Sequence, residues 1–168
     1  VTISHGYNHI DLDTATEMGI PVSNLFFCHR EVANHTVMFL LAATRKLIML
    51  HNLLKEGLWR RDLQPPVAPL YGETMGLIGL GHIGREVARR VQAMEMNVLA
   101  YDPVVAPERA AELGVELTDL DDLLRQLDRQ DTHAVGILRH GGGQVAVLDE
   151  RDRLRVGVEA DGHDVVQR

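Results

Sequence analysis

The chain has 168 residues, 45% of them apolar and 24% charged, with a formal net charge of −7. That is enough for one globular domain, or one domain and part of another. The negative balance argues against a nonspecific nucleic-acid binder. The longest unbroken apolar run, Val37–Ala43, falls far short of the ~20 residues of a membrane span. A single cysteine, Cys28, leaves no internal disulfide. With no basic-then-apolar leader at the start, it points to a reducing, cytoplasmic setting.

In chain order, Val1-Thr2-Ile3 is an apolar, strand-like opening with no lead-in, so the chain is expected to start partway through a longer protein. Residues 1–24 read as strand, short helix, strand. Asp11 is placed to cap that helix and Gly19 to stop it, and Ile20-Pro21-Val22 runs extended. Residues 29–57 read as one long helix ended by Gly57. Val37, Leu40, Leu41, Thr44, Leu47, Ile48, His51 and Leu54 keep the i, i+3, i+4, i+7 spacing. Around Val37–Ala43 the helix is apolar nearly all round, so burial on most sides is expected. Such a helix suits a wedge between two domains or two subunits; the alternative is packing within its own chain. Residues 60–72 hold three of the six prolines and read as an extended connection.

Residues 74–102 are the most informative stretch. An apolar run, Met75–Leu80, enters Gly79-Leu80-Gly81-His82-Ile83-Gly84. A helical pattern follows with Ile83, Val87, Val91 and Met94 on one face, then Val98–Tyr101 and Asp102. Strand, glycine turn, helix, strand and acid make a dinucleotide-binding unit. Gly79 permits the tight turn, Gly81 admits a pyrophosphate to the backbone, and Gly84 lets helix and strand pack closely. The amides near His82 and Ile83 would receive the anion at the helix N-terminus. His82 is expected to offer its backbone amide and not its side chain. Asp102 is placed to accept from a ribose hydroxyl and to repel a 2′-phosphate, which favours NAD over NADP. The bland alternative, glycines in an ordinary turn, does not account for the strand, helix, strand and acid around them.

Pro107 and Gly114 bracket a short helix, and Val115–Leu117 reads as a third strand. Thr118 and Asp121 form a capping-box-like pair before Leu120, Leu123, Leu124 and Leu127. Alternating strands and helices imply a parallel sheet. Beyond Gly141-Gly142-Gly143, short strand patterns at 144–149, 154–159 and 164–167 read as a β-meander or a tail with no fixed fold.

With these residues in view, the chain resembles the D-isomer-specific 2-hydroxyacid dehydrogenases over roughly residues 2–128. The resemblance is carried by residues 4–12 (Ser-His-Gly-Tyr-Asn-His-Ile-Asp-Leu), 19–24 (Gly-Ile-Pro-Val-Ser-Asn) and 31–36 (Glu-Val-Ala-Asn-His-Thr). It continues through Arg45-Lys46, Gly57-Leu58-Trp59, the glycine motif and Tyr101-Asp102-Pro103. Cys28 and Glu31-Val32-Ala33 are most similar to the branch with phosphoglycerate dehydrogenase. The resemblance implies an NAD-dependent oxidoreductase of 2-hydroxyacids, truncated at both ends. It implies a partial Rossmann-type parallel sheet with a remnant of a flavodoxin-like substrate domain. The division expected is 1–27 substrate-domain remnant, 28–59 interdomain helix, 60–128 NAD-binding unit and 129–168 divergent tail.

By the same resemblance, Ser4, His5 and Gly6 form a substrate-side loop. His5 is either a ligand group or a plain loop substitution, and Asn8 stands where the family has aspartate. The family's substrate-gripping arginine, its acid and its catalytic histidine have no match here, so no residue is assigned a catalytic role, and none a metal. Asp131–Leu138 imitates the family's fourth strand. His133, His140 and His163 receive no function. The implied partners are a small 2-hydroxyacid and a second copy of the chain, with no nucleic acid and no membrane. The alternatives are an NAD-binding module without turnover and an inactive truncated product.

Overall fold

The computed structural model describes residue 1 and residues 7–25, 27–59, 67, 69–129, 134–138 and 144–148. The expected strand at the extreme N-terminus, and those at 154–159 and 164–167, lie outside the described residues. The first helix, α1 (Leu12–Glu17), begins as its sequence dictates. Asp11 accepts from the Thr14 N–H at 2.9 Å, a bond that holds its carboxyl below its ordinary pKa. Gly19, at φ 63°, follows the helix end. Residues 20–23 form no strand; Asn24 makes only an isolated bridge.

The expected long helix is two helices, α2 (His29–Thr44) and α3 (Leu47–Lys55), bent by 58°. The break is at Lys46, whose φ of 53° is left-handed. No glycine or proline marks that position, and the 3–4 spacing of apolar residues runs straight across it. The burial expectation also changes. Within α2 only one stripe, Ala33, Thr36, Leu40 and Thr44, is buried. Met38, Phe39 and Leu41 on α2, and Leu47, Ile48 and Leu54 on α3, are exposed. No single helix among the described residues is long and apolar enough to cross a membrane. Together α2 and α3 pass on length and composition, but they are bent and α2 buries a stripe in the protein core.

The nucleotide unit follows the expected order: β1 (Thr74–Ile78), α4 (His82–Gln92), β2 (Asn97–Tyr101), α5 (Pro107–Glu112), β3 (Glu116–Leu117) and α6 (Leu120–Arg129). The three strands form a parallel sheet in the order β1-β2-β3. Thr74 to Ile78 stand opposite Asn97 to Tyr101, and Leu99 and Ala100 opposite Glu116 and Leu117. One face of the sheet, with Met75, Leu77, Val98 and Ala100, packs on Val87, Ala88 and Val91 of α4 and on Ala33 and Leu40 of α2. Alternation turns Leu99 to the other face. There α6 lies against β1 and β2, and Leu123 is fully buried.

The cap of α6 lies one residue later than the sequence pattern suggests. Asp119, not Thr118, takes the N–H of Asp122, at 2.8 Å. Beyond α6, β4 (Ala134–Leu138) and β5 (Gln144–Leu148) pair antiparallel. β4 lies beside β1, where the sequence imitates a fourth strand, but belongs to a separate two-stranded ladder.

Candidate nucleotide-binding site

The chain leaves β1 at Gly79, whose φ of 100° bars a side chain. The Gly79 N–H continues the ladder by donating to the Tyr101 carbonyl at 2.8 Å. Gly81 then serves as the extended N-cap residue of α4, and it brings no side chain to close the helix end. The third glycine has the sharpest requirement. A Cβ on Gly84 would sit 2.2 Å from the Gly79 carbonyl oxygen and 3.2 Å from its carbon. Helix and strand therefore meet backbone to backbone, and the N-terminus of α4 is drawn against the end of β1.

Asp102 ends β2 on the same edge and is only 8% exposed. Its Oδ2 accepts from the Leu80 N–H at 2.7 Å, and Oδ1 from the N–H groups of Val104 and Val105 at 2.9 and 3.1 Å. The acid thus joins the glycine turn to the loop after β2. Next to it an open cleft of about 420 Å³ is lined by Tyr101, Asp119, Leu120, Asp121, Asp122 and Arg125.

Of the residues singled out from sequence, Gly79, Gly81, His82, Ile83, Gly84 and Asp102 come together on this edge. Ile83 is half-buried against the core, and His82 is exposed. Ser4, His5 and Gly6 lie outside the described residues, as do His133, His140 and His163. No group of three or more His, Cys, Asp or Glu side chains able to hold a metal occurs among the described residues.

The structure adds neighbours that the motif does not specify. The His82 ring meets that of His29 edge-on, with centroids 6.2 Å apart. Arg30 lies 3.9 Å from Glu86, and Arg90 donates to Asn34 at 2.7 Å. These rising pairs mean that α2 and α4 run parallel, with their N-termini at the same edge. Glu86 also pairs with Arg90 and, at 2.9 Å, with Arg89. The hydrogen bonds from Arg90 and then Arg89 pull its carboxyl pKa down to about 2.

A glycine turn feeding an uncapped helix between two parallel strands, with an acid ending the second, defines a dinucleotide-binding α/β domain. Comparison with known proteins makes that class specific. Residues 37–133 match the NAD-binding domain of the D-isomer specific 2-hydroxyacid dehydrogenases. The chain is 44% identical over 129 residues to D-3-phosphoglycerate dehydrogenase of Archaeoglobus fulgidus, covering 76% of this chain and 24% of that protein. It is 35% identical over 132 residues to glyoxylate reductase of Korarchaeum cryptofilum, covering 76% and 40%. Among solved structures, D-lactate dehydrogenase from Aquifex aeolicus, complexed with NAD and lactic acid, matches with a TM-score of 0.66 at 36% identity. That match covers 72% of this chain and 36% of the other. This chain belongs to the D-isomer-specific 2-hydroxyacid dehydrogenase family, and its residues 37–133 are the part that matches the NAD-binding domain. It spans about a quarter of the length of the phosphoglycerate dehydrogenases it matches.

Proposed function

We propose that this chain binds NAD(H) along the edge formed by the ends of β1 and β2, and supplies the cofactor side of an oxidoreductase acting on a small 2-hydroxyacid or its 2-oxoacid. The observation that carries this is the closure of Gly84 on the Gly79 carbonyl, which presents the N-terminus of α4 beside Asp102. Gly81, His82 and Ile83 hold the pyrophosphate through their backbone at the N-terminus of α4, where the helix dipole favours an anion. Asp102 accepts from the adenosine ribose. The bound nicotinamide supplies the hydride chemistry; the chain's own residues bind and orient it. Asp102, with Asp119, Asp121 and Asp122 around the neighbouring cleft, repels a 2′-phosphate, which supports NAD over NADP.

The Ser4-His5-Gly6 loop is assigned to the substrate side, and no residue here is assigned the proton transfer. The exposed apolar face of α2 and α3 is assigned to a second copy of the chain, in a cytoplasmic setting. A nucleotide-binding module without turnover is the second reading; the residues placed in the site, the glycine turn and Asp102, all belong to its cofactor side. Titrating the purified chain with NADH, followed by nucleotide fluorescence, tests both. Saturable binding, tighter than that of NADPH, is expected. Oxidation of the bound NADH by added 2-oxoacids assigns turnover to this chain, and binding without oxidation leaves the module. Absence of binding sinks both.

A further inference from the structure

The glycine turn is braced on both sides of Leu80, and one brace is a residue outside the glycine motif. The Leu80 side chain is fully buried. Its N–H is held by Asp102 Oδ2 at 2.7 Å, and its carbonyl accepts from Arg85 Nε at 3.0 Å. The peptide before Leu80 is thus tied to the end of β2, and the peptide after it to the first turn of α4. Both ties are charge-assisted, and such bonds are stronger than neutral ones.

Arg85 stands apart from the other arginines of this helix. Arg89 and Arg90 pair with Glu86. Arg85 places its Nε on a carbonyl, and among the described residues no carboxylate pairs with it. In a trans peptide the C=O and the following N–H point in opposite directions. Fixing the Leu80 carbonyl toward Arg85 therefore aims the Gly81 N–H away from it. Gly81 is where the pyrophosphate approaches the backbone.

We propose that Arg85 is a positioning residue for the cofactor: its Nε–H sets the Leu80–Gly81 peptide so that the amides from Gly81 onward converge on the pyrophosphate. The proposal rests on the nucleotide reading above. It requires a donor at the ε position, not a charge. Gln carries an N–H at that position without charge, and Met matches the stem but cannot donate.

The test is NADH binding by the full chain as wild type, R85Q and R85M, each with a melting curve and with adenosine as competitor. R85Q should bind within about threefold of wild type, and R85M about tenfold more weakly. Adenosine, which lacks the pyrophosphate, should compete equally in all three. Wild-type affinity in R85M overturns the proposal, as does an R85Q loss equal to that of R85M, or an equal loss of adenosine. If R85M does not fold, R85Q decides alone: a tenfold loss there overturns the brace. Failure of the wild type to bind NADH is recognised separately, because it removes the nucleotide reading before any variant is compared.

Discussion

Gly84→Ala is the most direct perturbation of the helix–strand contact that builds the site. In a helix open to solvent, alanine in place of glycine is favourable by about 1 kcal/mol. Here the new Cβ would stand 2.2 Å from the Gly79 carbonyl oxygen, where real Cβ contacts start at 3.0 Å or more. The opposing atom is backbone and cannot swing aside, so relief needs about 1 Å of separation between α4 and β1, the kind of overpacking that costs about 1–3 kcal/mol. For a chain of 168 residues that is a fall of roughly 3–10 °C in Tm. The same displacement moves the α4 amides off the anion, so NADH affinity should fall by about tenfold or more. Gly114→Ala is the control. Its φ of +65° makes alanine costly, by about 1–2 kcal/mol, but its near neighbour is the Gln92 side chain at 3.2 Å. G114A should lose stability and keep NADH affinity. Thermal melts and NADH titrations of both variants decide the matter. A G84A protein that melts and binds like wild type would refute the close-contact argument.

Two further outcomes follow from the same geometry. Asp102→Asn places an amide NH2 group against backbone donors that now meet carboxylate oxygens. It should cost about 1–3 kcal/mol of stability by urea unfolding as well as NADH affinity; unchanged stability would reduce Asp102 to a ribose contact. Glu86 has a folded pKa of about 2, below its ordinary value of 4.5. Its contribution is therefore complete above about pH 4.5 and is lost as pH falls through about 2. The gap between wild type and E86Q in urea midpoint should be constant near neutrality and shrink steadily in acid, and a gap that stays constant in acid would mean the contribution is not ionic.

Much of the site was legible because its signals are local. Gly79, Gly81 and Gly84 are spaced for a turn and a helix start, and their meaning depends on the apolar runs on either side. The same holds for Asp11 and Gly19 around α1 and for Pro107 and Gly114 around α5. In each case the backbone geometry is dictated by residues within one or two turns. The cap of α6 shows how fine that reading is: Thr118 and Asp119 are both of capping type, and the fold gives the Asp122 N–H to Asp119.

The sequence by itself determined that a strand, a glycine turn, a helix and a second strand ending in Asp102 would form, and hence that a dinucleotide is the ligand to expect. Tertiary structure decided the rest. It broke the 29–57 helix at Lys46, where no local signal stands. It laid α2 parallel to α4, joining Asn34 to Arg90 across 56 residues. It gave Asp102 a second task on Leu80, 22 residues away, and turned Arg85 back onto the loop that precedes it. Periodicity and capping are written within a turn or two of chain, whereas these contacts exist only once the sheet and its helices have packed and brought distant backbone groups within hydrogen-bond reach.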